Sequence, residues 1–381
     1  MFRLTDEQQA LVEAARAAAQ DAIGPTVKID DETETFRPEI FRKLGEAGLC
    51  GIPTPEAWGG LGLGYVEYCL VLEEIAKVAP SWAVCVAVSG LPQIILTKFG
   101  NDEQRTRFLP KLASAEYLGG FALSEVGSGS DAASLRCSAV REGDEYVLNG
   151  SKFWITHGGY ADVYVVMART GGPGPKGVSA FLVEKGTPGL SYGKKEEKMG
   201  LRASPTVELL FENARIPAAN RLGPEGDGFR VAMSALDSGR ITIGATSVGL
   251  AQAALDCAAN YACVRKQFDT AIIDFQGVGF MLADMAIQVE TARLLVHKAA
   301  WLRDQDLAYT PIAAMAKCAA TDAAMKVSTD AVQVLGGAGY TREYPVERLM
   351  RDAKVMQIVE GTNQVQRVVI ARHLKRSYGG G

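Results

Sequence analysis

One carboxylate, Glu360, stands at the junction of two helix-like segments near the C-terminal end of the sequence. The largely apolar run 355–359 precedes it and Gly361 follows. Glycine lets the backbone turn sharply there and leaves the carboxylate open to a ligand. Thr362 then reads as the N-cap of the last helix. A carboxylate among apolar side chains has a raised pKa, because burial disfavours its charged form. That is the profile of a general base. No Lys or Arg precedes it more closely than Lys354, so nothing nearby in the chain opposes the shift. An ordinary glutamate at a helix junction has the same local sequence, so other segments must separate the two.

Four segments carry further chemistry. In residues 121–131 a strand runs into a loop of small residues, where backbone N–H groups can approach an anion closely. In residues 153–159 Trp154 and Thr156 lie two apart on a strand, so an aromatic surface and a hydroxyl share one face. Arg265, Lys266, Gln267 and Phe268 end a helix, and Gln276 begins the next. Gln333 leads into Gly336 and Gly337, a pair that also reads as a glycine C-cap. The glycines of 58–64 have Gly-x-Gly spacing, but no strand precedes them, so they lack the context of a phosphate-binding fingerprint.

Three stretches must position these residues. Residues 1–118 read as helices: Thr5 caps the first, 39–49 and 66–79 repeat the helical period, 81–99 is an apolar helix, and Asn101-Asp102 opens another. Residues 119–229 carry strand signals, including Val163 to Met167, Val178 to Val183 and Thr206 to Phe211. There Asn149-Gly150 predicts a hairpin turn. Short strands without intervening helices suggest a small barrel or sandwich. Residues 230–381 return to the helical period in long segments at 231–262, 276–304 and 311–335, a bundle pattern.

The composition excludes several classes. With 381 residues and 48% hydrophobic content the chain is globular and has ample core. A formal net charge of −4 lacks the basic footprint of a nucleic-acid binder. No window of about 18 uninterrupted apolar residues marks a membrane helix, and residues 1–9 lack a signal core, which predicts a cytoplasmic protein. Seven scattered cysteines without a Cys-x-x-Cys pair read as reduced core residues, and three distant histidines make no metal site.

Taken in order and spacing, residues 121–131, 154–156, 198–202, 265–268, 333–340 and 351–362 resemble the acyl-CoA dehydrogenases, and the resemblance runs to about residue 375. It implies an α+β, mostly α fold: an N-terminal helical domain, a middle β-barrel and a C-terminal four-helix bundle. It implies FAD, bound in a homotetramer. Phe121, Leu123, Ser124, Gly129 and Ser130 would line the flavin with Trp154, Ile155 and Thr156. Arg265, Phe268, Gln276, Gln333, Gly336 and Gly337 would hold its pyrophosphate and adenine end, partly across a subunit contact, while Thr362 and Gln364 reach it from the last helix. Ser130, Asp237, Arg240 and Gly361 match positions that bind the acyl-CoA, and Glu360 matches the catalytic base.

The implied reaction is α,β-dehydrogenation of an acyl-CoA thioester, with electrons passing to an electron-transfer flavoprotein. The alternatives are a dehydrogenase or oxidase of carrier-protein thioesters and a non-catalytic binding protein on the same scaffold. The chain departs from the family pattern at Val126, where Pro is usual, at His157, where Asn is common, and at Asp269, where Gly is usual. Some members carry their base at the position of Gly239, so a carboxylate introduced there is expected to restore some activity to Glu360→Gln. Asp131 and Asp237 are the other carboxylates beside these motifs.

Overall fold

The computed structural model describes residues 3–379. Six helices come first: α1 (Asp6–Ala22), α2 (Val27–Thr33), α3 (Pro38–Glu46), α4 (Tyr65–Val78), α5 (Pro80–Phe99) and α6 (Asp102–Ala113). Thr5 opens α1 with a full capping box, its hydroxyl accepting from Gln8 N while the Gln8 side chain accepts from Thr5 N. Asn101 does the same for α6 with Gln104. Helix α5 is apolar on all sides because it is enclosed: α4, α6, β1 (Gly119–Ala122) and α7 (Gly228–Val264) pack around it.

Between β1 and α7 run β2 (Ser138–Glu142), β3 (Glu145–Thr156), β4 (Val163–Arg169), β5 (Val178–Glu184), β6 (Leu190–Lys195), β7 (Thr206–Pro217) and β8 (Arg221–Leu222). They form one mixed sheet in the order β6-β7-β3-β2-β4-β5-β8, with β1 parallel to β4. Strand β4 is buried on both faces. Val163, Val165 and Met167 join the helical core, while Tyr164, Val166 and Ala168 join a separate core inside the sheet.

The turn expected at Asn149-Gly150 is not there. Strand β3 runs straight through it, and the β2–β3 hairpin turns at Gly143-Asp144 instead, with Gly143 at φ +63. Asn149-Gly150 is a bulge against β7, where the register slips between Leu148 and Gly150. Asn149 spends its side chain across the sheet, accepting from Asn213 N at 2.8 Å. Gly150 sits at φ +130, where a Cβ would lie 2.8 Å from Cys137 Cα. The pair satisfies the glycine preference of a turn and of a bulge equally, and the long β3–β7 ladder decides between them.

The C-terminal part holds α7, a short β9–β10 ribbon (Lys266–Gln267, Thr270–Ala271), α8 (Gln276–Asp304), α9 (Thr310–Leu335), α10 (Gly337–Tyr340), α11 (Val346–Met356) and α12 (Asn363–Tyr378). Helices α7 and α9 run in the same direction: the Thr310 hydroxyl meets Asp237, and Ala316 faces Gly244. Helix α8 runs opposite to α7, with Arg303 donating to Ser238 and Val296 against Gly244. Two helices, Pro80–Phe99 and Gly228–Val264, are long and apolar enough to cross a membrane by composition, but 78% and 72% of their most apolar windows lie inside the fold. They are core helices. The seven cysteines are free, though Cys263 is exposed and Cys257 half-buried rather than core.

Candidate functional site

Glu360 occupies a left-handed turn. Ile358 N and Val359 N still bond to the Val355 carbonyl, after which Glu360 and Gly361 take φ +54 and +86. Thr362 then caps α12, its hydroxyl accepting from Val365 N at 3.2 Å. For a non-glycine residue this conformation costs about 1 kcal/mol or more. It aims the side chain at α7, where an ideal Cβ on Gly239 would lie 2.3 Å from Glu360 Oε2. That oxygen is shielded from solvent and receives no hydrogen bond. The Glu360 N–H likewise has no acceptor among the described residues.

Burial pushes the Glu360 carboxyl up to about 7, against the pull of Arg240 and then Lys317. Those two cations correct the picture drawn from chain neighbours alone. They come from α7 and α9, far away in sequence, and both are almost fully buried. The same crowding means that a Glu at 239 in Glu360→Gln would have to displace the glutamine side chain to act.

The facing wall belongs to the sheet. Glu125 and Ser128 bond backbone to backbone at 3.0 Å in both directions, which projects Val126 and Gly127 as an exposed tip. Ser124 accepts from Phe153 N at 2.9 Å, so this loop lies against the end of β3. There the β3–β7 register slips again, between Lys152 and Ile155. The bulge, with Trp154 at φ +57, leaves the indole 55% exposed while Ile155 is buried and Thr156 half-buried.

A third loop, 198–204, ties this wall to Glu360. Leu201 N donates to buried Asp352 of α11 at 2.6 Å, and Arg351 donates to the Met199 carbonyl at 3.1 Å. Gly200 passes so close to α11 that a Cβ would lie 2.4 Å from the Arg351 carbonyl oxygen. Burial pushes Asp352 up to about 6, opposed by Arg348 and by the Leu201 N–H. Leu201 joins Val84, Ile243 and Met356 in a small buried cluster flanked by Val359.

The remaining expected residues sort into three places. Leu123 and Ile155 turn their side chains into the cores, so only their backbones face the wall. Phe121, Ser124 and Thr156 are half-buried there, and Gly129, Ser130 and Asp131 are exposed on the loop. Near Glu360, Asp237 bonds to Arg240 on its own helix and accepts from Thr310 at 2.8 Å. Gly361 and Thr362 are half-buried and Gln364 is exposed at the start of α12. Arg265, Phe268, Gln276, Gln333, Gly336 and Gly337 are all exposed and gather elsewhere, at the far ends of α7 and α9. At 1.5 Å per residue, the end of α7 is about 36 Å along the helix from Arg240. One chain does not bring them to Glu360.

His157 is buried against Phe36 and Phe41 rather than open to a ligand. Its Nδ1 pairs with the Gly119 carbonyl at 2.8 Å, and burial pulls it down to about 4.

Lys152, Lys317, Asn363 and Gln366, each buried at or behind the site, are not among the residues expected from the sequence. Lys317 had a readable signal: it shares a helical stripe with Ala313, Ala320 and Ala324, where a charge has no packing reason to be.

Comparison with known proteins agrees along the whole chain. Family models described as the N-terminal, middle and C-terminal domains of acyl-CoA dehydrogenase match residues 5–116, 120–214 and 226–375. A Bacillus subtilis protein named acyl-CoA dehydrogenase is 48% identical over 98% of this chain and 99% of its own. A Clostridium acetobutylicum relative named acyl-CoA dehydrogenase, short-chain specific, is 44% identical over 98% of this chain and all of its own. The solved structure of butyryl-CoA dehydrogenase from Megasphaera elsdenii is 42% identical and superposes with a TM-score of 0.96, covering 98% of this chain and 99% of that one.

Proposed function

The chain belongs to the acyl-CoA dehydrogenase family, and from that premise we propose that it desaturates a short-chain acyl-CoA between its α and β carbons, with Glu360 as the base. The observation that carries this is the unpartnered, shielded Oε2 of Glu360, on a turn that no ordinary helix junction requires. A carboxylate with a pKa near neutrality is well matched to proton abstraction at neutral pH. A thioester α-proton is weakly acidic, so its removal also needs donors at the developing enolate oxygen. The free N–H of Glu360 supplies one such donor on the same residue.

The residues present fit FAD. The indole of Trp154 is presented on a bulge, and the glycines at 127 and 129 face open space where a Cβ would touch nothing. Bound there, FAD supplies the acceptor for the β-hydrogen and its two electrons. Trp154, Thr156 and the 121–130 loop would hold the ring, with Thr362 and Gln364 across from them. Arg265, Phe268, Gln276, Gln333, Gly336 and Gly337 would hold the other end of a FAD that belongs to a second copy, a reading supported by their distance from Glu360 within one chain.

Helix α8 supports an oligomer. Phe280, Ile287, Leu294 and Trp301 recur every seven residues and stay about half exposed or more, an apolar seam without a partner in one chain. We take the assembly to be a homotetramer and the final acceptor to be an electron-transfer flavoprotein.

Ser130 and Gly361 flank the entry for the thioester. Ile243 lies one turn beyond Gly239 on α7 and packs with Val84, Leu201 and Met356 in a buried cluster flanked by Val359, which we take to be the end of the acyl pocket. A long acyl tail would have to displace that cluster. The test is anaerobic flavin bleaching with straight-chain acyl-CoA esters of increasing length. Bleaching is expected to be fastest with short chains and to fall steeply with longer ones. Bleaching only by carrier-protein thioesters would move the substrate class, and no bleaching by any thioester would end the proposal.

A further inference from the structure

Lys317 lies on α9 with no exposed surface. Its Nζ donates to the Gly361 carbonyl at 3.0 Å and to Asn363 Oδ1 at 2.9 Å. Asn363 is held in turn, donating to the Thr321 hydroxyl at 2.9 Å and to Asp322 at 2.7 Å. From α12, fully buried Gln366 donates to the carbonyls of Glu360 and Gly361 at 3.0 and 2.9 Å. Two buried side chains from two helices therefore grip the carbonyls of a turn whose conformation is unfavourable in isolation.

A buried ammonium is expensive unless it is paired, yet among the described residues Lys317 bonds to no carboxylate. The charged groups around Glu360 are few. From α7 comes Arg240, already ion-paired with Asp237. From α9 comes Lys317, with Asp322 behind Asn363, and from α12 comes Arg367, which is bonded to Asp322. Arg240 has the larger pull on Glu360 but is tied to its own aspartate, whereas Lys317 adds a second pull and is bonded only to neutral oxygens. Burial lowers Lys317 to about 8, opposed by Cys318, Glu360 and Asp322, so it carries its proton at neutral pH.

We propose that Lys317 is a positioning residue for proton abstraction: its bond to Gly361 fixes the turn, and its charge favours the ionised form of Glu360 without touching it. This rests on Glu360 being the base.

The experiment is single-turnover anaerobic flavin reduction by the best acyl-CoA, measured against pH on flavin-loaded enzyme. Lys317→Met removes the charge and the donor. Lys317→Gln removes the charge but keeps an N–H donor for the turn. Lys317→Arg keeps the charge. Both neutral variants are expected to move the pH of half-maximal reduction upward by about one unit, with a roughly fivefold loss at pH 7 that recovers at higher pH. Lys317→Gln should keep the higher plateau of the two, and Lys317→Arg should restore the wild-type profile.

A plateau lowered uniformly, with no alkaline displacement in either neutral variant, would mean a structural residue only and would overturn the proposal. Should Lys317→Met fail to fold, Lys317→Gln decides alone. If wild type bleaches with acyl-CoA and Glu360→Gln bleaches equally fast, the base is elsewhere, and both the assignment of Glu360 and this proposal fall while the family activity stands.

Discussion

Glu125 and Glu360 are two shielded carboxylates on two tight turns, one in the sheet and one between helices, and their pKa values move in opposite directions. Burial works to raise both. Glu125 accepts from Lys152 Nζ at 2.7 Å and from Arg136 N and Cys137 N at 2.7 and 2.9 Å. Those donors outweigh burial and hold it below the usual carboxylate range. Glu360 Oε2 has no donor and rises to about 7. The lysines differ in the same way. Lys152 touches its carboxylate, while Lys317 bonds only to neutral oxygens and acts on Glu360 from a distance. Burial alone therefore does not lift a carboxylate to neutrality; burial with the donors withheld does.

The sharpest way to break the comparison is to remove each carboxylate's charge. Glu360→Gln should slow flavin reduction at least ~10²-fold while flavin and substrate still bind. Glu125→Gln should leave the rate per bound flavin within a few-fold. A large loss of chemistry in fully loaded Glu125→Gln would erase the distinction.

A smaller loss is expected from Gly239→Ala. Its methyl would push the Glu360 carboxylate aside, and a misplacement of about 1 Å costs up to ~10²-fold in rate. Lys152→Met, by contrast, should act on stability. It leaves Glu125 buried without its cation, and breaking such a pair costs about 3–5 kcal/mol by urea unfolding.

The smallest effect concerns Glu360 and pH. Its folded value lies above the unfolded one, so the folded state holds the proton more tightly between about 4.5 and 7. Stability is therefore lost as pH rises through that window, and above it the full cost of the ionised group is present. Glu360→Gln should be more stable than wild type at pH 8 by about 1–3 kcal/mol, with the gain vanishing near pH 4. Melts of equally flavinated enzyme at the two pH values measure it. A gain of the same size at both would mean that the substitution acts through packing.

Much of this was legible in the chain because it is local. Thr5, Asn101 and Thr362 are caps whose signals lie within a few residues, and Glu360-Gly361 announces its turn by the same token. The long helices declare themselves by period. What escaped depends on pairing at a distance. Asn149-Gly150 reads as a turn until the β3–β7 ladder makes it a bulge. Arg240 and Lys317 lie more than forty residues before Glu360 in sequence and reach it only through the packing of α7, α9 and α11. Trp154 was legible as a residue, but its exposure follows from a register slip that only two strands together define.

Gly239 carries a consequence for how such sites change over generations. The 2.3 Å between its would-be Cβ and Glu360 Oε2 means that a side chain added on α7 and the Glu360 carboxylate compete for the same space, so one must move for the other. A lineage that moved its base from one element to the other would have to displace the old carboxylate as it gained the new one. One substitution at a time, it would pass through a crowded protein or an inert one, which makes the choice of element durable once made and a record of descent.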